Sequence, residues 1–391
     1  MREDRSGLRF RPDVHPSAAH EGRRVRTTAL DFDRRPILVF WETTRACLLA
    51  CRHCRAEAQA APVAGELSTD EGLALVESLE GFGRPAPVLV LTGGDVLMRR
   101  DLAGLIARAR GCGVPVALAP SVTPLLTDER LSDLREHGVK VASLSLDGAV
   151  PGTHEGIRQV GGHYAATLAA IKRFRSHGFV VQVNTLVCAE NVEELPQVAR
   201  IVQTAGASIW ELFFLVQVGR GTGMSELSPD QIEDVCHFLV DASRYGFIVR
   251  TVEAPMFRRV VEWRAEGRAC VTGALYERLA EELAAKLGQP AGSPRAQTKG
   301  TRDGRGIVFV SSVGDVTPAG FLPIALGNVR ERSIVEIYRD DPLLHDIRAA
   351  RFSGKCGRCE YRDLCGGSRA RAYAASGDPL AEDPACAYVP A

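Results

Sequence analysis

The sequence has no excess of either charge sign and no long apolar run. Its 391 residues contain 48 Lys and Arg against 48 Asp and Glu, so net charge gives no reason to expect nucleic acid or an anionic membrane as a partner. No stretch approaches the ~18 consecutive apolar residues of a transmembrane helix. The charged start, MREDRSGLRF, lacks the apolar segment of a secretory signal. We therefore expect a cytoplasmic protein that binds neither nucleic acid nor membranes.

Cysteine, in contrast, is plentiful and grouped. Seven of the eleven cysteines form two sets, which are Cys47, Cys51 and Cys54, and then Cys356, Cys359, Cys365 and Cys386. In a reducing compartment, grouped cysteines are metal ligands more often than disulfides. The other four lie in apolar contexts and are interpreted as small buried hydrophobic residues, Cys270 with the least support: Cys112, Cys188, Cys236 and Cys270.

The first set has three cysteines and no fourth nearby. A structural zinc or a closed iron–sulfur site uses four protein ligands. The pattern Cys-x3-Cys-x2-Cys therefore leaves one metal position open, and an open position indicates chemistry rather than structure alone.

Strand-like and helix-like segments alternate through the first half of the chain. Strands are predicted at residues 37–42, 87–91, 114–119, 140–146, 179–187 and 208–216. Amphipathic helices are predicted between them, at residues 69–79, 102–110, 128–136, 164–176 and 191–203. Because parallel strands need a crossover that a helix supplies, this succession predicts an α/β fold with a parallel sheet, a partial (β/α)6 TIM-like barrel.

Two of the motifs follow successive strands. In such barrels the functional loops follow the carboxyl ends of the strands. The three-cysteine loop follows the first strand, and Gly93-Gly94-Asp95 follows the second. Glycines let a ligand approach the backbone, and a carboxylate accepts from an amine. A Gly-Gly-Asp alone is more often a turn, but its placement on the face of the cysteine loop favours a binding site.

Together these motifs resemble the radical S-adenosylmethionine (SAM) superfamily. The resemblance implies that three thiolates hold a [4Fe-4S] cluster whose fourth iron is chelated by SAM, which accounts for the missing ligand. It also implies reductive cleavage of SAM to a 5′-deoxyadenosyl radical that abstracts hydrogen from a substrate. The cleavage needs no side-chain acid or base, but it needs an electron donor such as flavodoxin or ferredoxin.

The resemblance also implies roles for single residues. Cys47, Cys51 and Cys54 match the cluster ligands, and His53 stands where the family has an aromatic residue near the adenine. Gly93, Gly94 and Asp95 match the motif that binds the SAM amino group, although glutamate is commoner at the third position. The end of the fourth strand, which often reaches SAM or the substrate, is matched by Ser143, Ser145 and Asp147. Arg158 resembles an arginine that pairs with the SAM carboxylate, with a structural salt bridge as the alternative.

The C-terminal cysteines form a second candidate site. By spacing alone, Cys356-x2-Cys359-x5-Cys365 followed by Cys386 is compatible with a structural zinc. Behind a radical SAM barrel, the pattern resembles the small α+β SPASM/twitch domain, which holds an auxiliary [4Fe-4S] cluster. A full SPASM domain has more ligands, but Arg369 and residues 317–320 (TPAG) replace them here. We therefore expect one fully protein-ligated auxiliary cluster that relays electrons or supports the fold.

The chain is accordingly divided into four parts. These are a polar extension at 1–35, the barrel at 36–235, a helical bridge and loop at 236–304, and a SPASM/twitch-like domain at 305–391. Residues 228–287 are predicted to be helical.

The substrate is inferred from the C-terminal region. The segment GGSRARAYAASGDPLAEDPAC and residues 320–323 most resemble tetrapyrrole-modifying enzymes of heme synthesis. Arg369 and Arg371 are candidates to pair with propionates, with a structural role as the alternative. The competing functions are a peptide-modifying SPASM maturase and a non-catalytic iron–sulfur or zinc scaffold.

Overall fold

The structure is a computed structural model that describes residues 31–290, 292–296 and 300–390. Most of the extension predicted at 1–35 lies outside these residues. Within the described ranges, none of the helices has the length and hydrophobicity to cross a membrane.

Seven parallel strands follow one another in chain order. They are β1 (Leu38–Glu42), β2 (Val88–Thr92), β3 (Val116–Leu118), β4 (Val141–Ser145), β5 (Val180–Val187), β6 (Ile209–Phe214) and β7 (Ile248–Val252). Three further strands extend the sheet beyond β1, namely β8 (Ile307–Val310), β9 (Asp315–Thr317) and β10 (Gly327–Asn328). β8 is parallel to β1, whereas β9 and β10 are antiparallel additions. The expected α/β fold, a partial TIM-like barrel, is confirmed.

Helices connect the strands and cover the outer face of the sheet. Those of the barrel are α1 (Thr69–Ser78), α2 (Leu102–Gly111), α3 (Asp128–Glu136), α4 (Pro151–Arg158), α5 (His163–Ser176), α6 (Leu195–Thr204) and α7 (Pro229–Ala242). The rest are α8 (Phe257–Ala265), α9 (Ala274–Leu287), α10 (Ile334–Asp340), α11 (Pro342–Arg348), α12 (Gly354–Arg358) and α13 (Arg369–Ser376). The start of α7 follows its prediction, since Ser228 and Gln231 form a reciprocal capping box and Pro229 occupies the first turn.

The sequence prediction missed the seventh strand. Residues 228–287 were expected to be helical, but β7 lies between α7 and α8 and pairs with β6. Its sequence, IVRTV, has only five residues and Arg250 in the middle. The apolar pattern is therefore too short and too weak to predict a strand inside a helical region. The segment forms a strand because it pairs with β6, a tertiary interaction that its own sequence does not predict.

Alternation along the strands separates a packed outer face from a less buried inner face, which is polar along β4 and β5 and mostly apolar along β1 and β2. Outward residues such as Trp41, Leu91 and Leu144 are fully buried against the helices. The inner residues are only half-buried, as the pattern of β4 shows with Ser143 and Ser145. The barrel therefore has its hydrophobic core outside the sheet, and inside the sheet a wall that is polar at β4 and β5. β8, which the sequence places in the C-terminal domain, pairs with β1 and forms an antiparallel hairpin with β9.

Candidate active site and cysteine sites

The three-cysteine loop follows β1 at the carboxyl end of the barrel. Cys47 and Cys51 are buried and Cys54 is partly exposed. Each sulfur has at least one nearby donor: the amide of Leu49 is 3.4 Å from Cys47 Sγ, the amide of Ala58 is 3.4 Å from Cys54 Sγ, and Arg158 Nη1 is 3.7 Å from Cys51 Sγ. Donors to sulfur stabilise thiolates, so these three residues fit the ligands of an iron–sulfur cluster.

The two glycines after β2 pack against the cysteine loop itself. The amide of Gly94 donates to the carbonyl of Thr44 at 2.8 Å, and the amide of Asp95 donates to the carbonyl of Ala46 at 2.7 Å. A Cβ on Gly94 would lie 2.3 Å from the carbonyl oxygen of Ala46, and one on Gly93 would lie 2.4 Å from that of Thr44. The sequence explained these glycines by a ligand near the backbone. The structure shows that they also let the segment before Cys47 approach β2.

The Asp95 carboxylate is fully buried and already has three donors. It accepts from the amides of Leu97 and Ser121 and from Thr123 Oγ1, the last at 2.8 Å. Burial raises the pKa of Asp95, although these hydrogen bonds oppose that effect. The side chain therefore caps the turn after β2, and its expected contact with the SAM amino group stays a prediction.

An ion pair connects β4 to the cysteine loop. Arg158 Nε and Nη2 both lie 2.6 Å from Asp147 Oδ2, and the amide of Leu186 donates to Asp147 Oδ1 at 2.8 Å. Burial would raise the pKa of Asp147, but the charge of Arg158, together with His53, His154 and the amide of Leu186, outweighs it and lowers that pKa to about 2. The structural salt bridge, considered as the alternative for Arg158, is therefore present, and Nη1 extends from it to Cys51.

A pair of buried, hydrogen-bonded histidines contacts the backbone of Asp147. His154 Nδ1 accepts from the amide of Asp147 at 3.1 Å, and His154 Nε2 lies 2.8 Å from His163 Nδ1. His163 Nε2 reaches the carbonyl of Val122 at 3.1 Å. Because an amide donates at one end and a carbonyl accepts at the other, each ring carries its proton on Nε2 and both are neutral. Burial lowers the pKa of His154 to about 4, which agrees with this assignment.

His53 and Arg220 lie on the other side of the loop. Burial lowers the pKa of His53 to about 4, and its Nδ1 has no hydrogen-bond partner among the described residues. Arg220, which sequence reasoning missed, donates from Nε to the carbonyl of Cys51 and from Nη1 to that of Ala58, both at 2.9 Å. The loop after β6 thus holds the backbone of the cysteine loop in place.

On the inner wall of the barrel, sequence reasoning identified Ser143 and Ser145 but missed Gln182, Asn184 and Glu211. Gln182 Nε2 donates to Asn184 Oδ1 at 2.8 Å and to Glu211 Oε2 at 2.6 Å. Glu211 is in register with Arg250 of β7, and burial raises the pKa of Glu211. Ser143 and Ser145 continue this wall on β4, beside Gln182 and Asn184. Polar residues at alternate positions of otherwise apolar strands were the available signal.

The four C-terminal cysteines line one cavity beside α8 and α12. Backbone amides donate to three of the sulfurs: that of Asp383 lies 3.3 Å from Cys356 Sγ, that of Tyr361 3.4 Å from Cys359 Sγ and that of Gly367 3.5 Å from Cys365 Sγ. Burial raises the pKa of Cys365 to about 12 and that of Cys386 to about 11. Such thiols ionise only beside strong positive charge, which coordinated iron or zinc supplies.

The two arginines considered for propionate binding use their guanidinium groups in hydrogen bonds within the protein. Arg369 is fully buried and donates to the carbonyls of Pro379 and Ala381. Arg371 is also buried and donates to the carbonyls of Leu215 and Glu253, with Glu226 as an ion-pair partner. Because these donors are already used, the structural role stated as the alternative is the one observed.

The fold, together with an open three-cysteine loop at the mouth of a partial barrel, defines a class of iron–sulfur enzyme. Residues 41–202 match the radical SAM superfamily. AdoMet-dependent heme synthases of Nitratidesulfovibrio vulgaris and Methanosarcina barkeri are 36% and 37% identical to this chain over 357 residues, which span 90% and 91% of this chain and 92% and 97% of theirs. The protein belongs to the radical SAM superfamily and is a radical SAM enzyme, so a [4Fe-4S] cluster and SAM are its implied cofactors.

More distant proteins agree with this assignment. A mycofactocin maturase, MftC of Mycobacterium ulcerans, is 27% identical over 367 residues, covering 90% of this chain and 88% of its own. The crystal structure of Streptococcus suis SuiB bound to S-adenosylmethionine has a TM-score of 0.65 at 14% identity, covering 91% of this chain and 78% of its own. SuiB therefore shares the fold.

Proposed function

We propose that this radical SAM enzyme acts on a side chain of a tetrapyrrole. The observation that carries the proposal is the similarity to AdoMet-dependent heme synthases, at 36–37% identity over nearly the whole length of both chains. The inner wall supports it, because amide, hydroxyl and guanidinium groups suit a substrate that carries carboxylates.

In this proposal, Cys47, Cys51 and Cys54 hold the cluster whose open iron takes SAM. When bound and reduced, the cluster would supply the electron for cleaving SAM, which is the chemistry needed to abstract hydrogen from the substrate. Arg158 orients the cofactor carboxylate while Asp147 and the histidine pair hold the guanidinium in place. The side chain of His53 faces the adenine. Ser143, Ser145 and the Gly93-Gly94-Asp95 segment complete the pocket and exclude water.

The C-terminal cysteines are proposed to hold a second, auxiliary [4Fe-4S] cluster. In the part of the chain that the structure describes, no three His, Cys, Asp or Glu side chains converge closely enough for a single metal ion. Zinc would draw four sulfurs to ~2.3 Å from one point, whereas the bulkier cluster suits four thiols that line a cavity. The cluster has four protein ligands, so it relays electrons or supports the fold rather than binding substrate. A flavodoxin or ferredoxin would supply the electrons.

The experiment uses protein purified without oxygen and reconstituted with iron and sulfide. It is reduced with dithionite and incubated with SAM and iron-coproporphyrin III, and 5′-deoxyadenosine and the porphyrin mass are followed. We expect about eight irons per chain, as two [4Fe-4S] clusters require, together with deoxyadenosine and a modified porphyrin. Cys51→Ala should abolish both products and retain about four irons. Cys270→Ala, a half-exposed cysteine outside both sets, is the matched control and should retain activity.

The other outcomes separate the competing functions. Deoxyadenosine without porphyrin modification would favour peptide modification, as in the mycofactocin maturases. A full iron content without deoxyadenosine, even with substrate present, would favour a scaffold. About four irons with one bound zinc would assign the C-terminal site to zinc.

A further inference from the structure

Arg259 is an arginine buried next to the C-terminal cysteines. It lies on α8 and is only 2% exposed. Its guanidinium contacts two aromatic rings, with Cζ 4.4 Å from the ring centre of Trp263 and 4.8 Å from that of Tyr388. The two rings themselves meet edge to face. Nη2 donates to Glu233 Oε2 at 2.6 Å. These ring contacts and the ion pair therefore hold the guanidinium in place.

One end of this guanidinium has no partner among the residues that the structure describes. Nη1 of Arg259 is buried and makes no hydrogen bond within the described residues. A buried cationic donor without an acceptor is costly, so a missing acceptor is indicated. Arg259 lines the same cavity as the four cysteines. Burial lowers the pKa of Arg259, but Glu233, with smaller contributions from Cys386 and Cys365, raises it overall. The group that the cysteines bind is therefore the candidate acceptor for Nη1 of Arg259.

We propose that Arg259 donates from Nη1 to a sulfur of the auxiliary cluster and thereby raises the reduction potential of that cluster. This inference rests on the proposed auxiliary cluster. Reduction adds an electron, and a buried positive charge with a hydrogen bond to sulfur stabilises the reduced form. Glu233 has the opposite effect, because its carboxylate partly cancels the charge of Arg259. The two residues thus have opposite effects on the reduction potential of the cluster: Arg259 raises it and Glu233 lowers it.

The test is a redox titration of the reconstituted full-length enzyme, followed by electron paramagnetic resonance. Cys51→Ala identifies which signal belongs to the C-terminal cluster. Arg259→Met should lower the ratio of reduced to oxidised C-terminal cluster at least tenfold at the unmodified protein's midpoint, a shift of ~59 mV. Arg259→Lys, which keeps the charge, should shift less, and Glu233→Gln should shift the midpoint upward. Arg348→Met is the matched control, because Arg348 is buried against the Tyr338 ring and outside the cysteine cavity.

The outcomes distinguish this inference from the proposed function. A midpoint in Arg259→Met equal to that of Arg348→Met, with about eight irons retained as two [4Fe-4S] clusters require, would overturn the role of Arg259. If Arg259→Met loses the C-terminal iron, equal midpoints in Arg259→Lys, Glu233→Gln and the unmodified protein would overturn it instead. An unmodified protein with one cluster signal and about four irons would show that the auxiliary cluster itself is absent.

Discussion

The ion pair of Asp147 and Arg158 gives the most direct test of how the SAM site is supported. Asp147 is 1% exposed, and both of its oxygens accept hydrogen bonds, Oδ2 from Arg158 and Oδ1 from the amide of Leu186. In Asp147→Asn, Oδ1 still accepts from that amide, but the other side-chain atom becomes a donor facing Arg158. The variant therefore leaves a buried guanidinium without its counter-charge.

The expected cost follows from two independent magnitudes. Lowering the pKa of Asp147 from 3.8 to about 2 corresponds to about 2–3 kcal/mol of stability at neutral pH, at 1.36 kcal/mol per unit. Removing one partner of a buried ion pair costs about 3–5 kcal/mol. We expect Asp147→Asn to lower the free energy of unfolding by about 3 kcal/mol. Because the folded-state pKa is lowered, this contribution is present above pH 3.8 and is lost as pH falls towards 2.

The assay is urea unfolding of the iron-free protein by circular dichroism, so that cluster assembly does not enter the free energy. The matched control is Glu190→Gln. Glu190 pairs with Arg52 at 2.7 Å, but both side chains are 38% exposed, so this pair should contribute at most about 1 kcal/mol. Asp147→Asn should also bind less SAM after reconstitution. Equal urea midpoints for the two variants would refute the role assigned to the buried pair.

Two further predictions concern the surroundings of the site. Gly94→Ala would place a Cβ 2.3 Å from the carbonyl oxygen of Ala46, so we expect this variant to displace the cysteine loop and to lose about four irons. The control is Gly104→Ala on α2, where a Cβ meets nothing within 4 Å, and it should keep its iron. Equal iron contents in the two variants would contradict the packing role of Gly94. The pKa of His154, lowered by burial from 6.5 to about 4, means that only the unfolded chain is protonated between these pH values. Stability should therefore fall by about 3 kcal/mol as pH falls from 6.5 to 4. His154→Gln should flatten this dependence in urea unfolding, and an unchanged slope would exclude the neutral histidine pair as its source.

Local sequence was sufficient for the features whose signals are local. The spacing of Cys47, Cys51 and Cys54 by itself indicated an open cluster site, since ligand number follows from counting cysteines within one loop. The alternation of strands and helices indicated the barrel, because each element buries its own apolar face. These features depend on residues that are close together in the chain.

Tertiary structure decided the contacts between segments that are distant in sequence. Only the pairing of β6 and β7 shows that IVRTV is a strand that carries Arg250 on the inner wall. Only the packing of β2 against the first loop shows that Gly94 is needed by the backbone before Cys47. Arg259 is about a hundred residues from the cysteines beside it, and no spacing in the sequence predicts that this arginine, with its unpaired donor, lines their cavity. The physical reason is that crossovers of the barrel, rather than local propensity, determine which distant side chains meet.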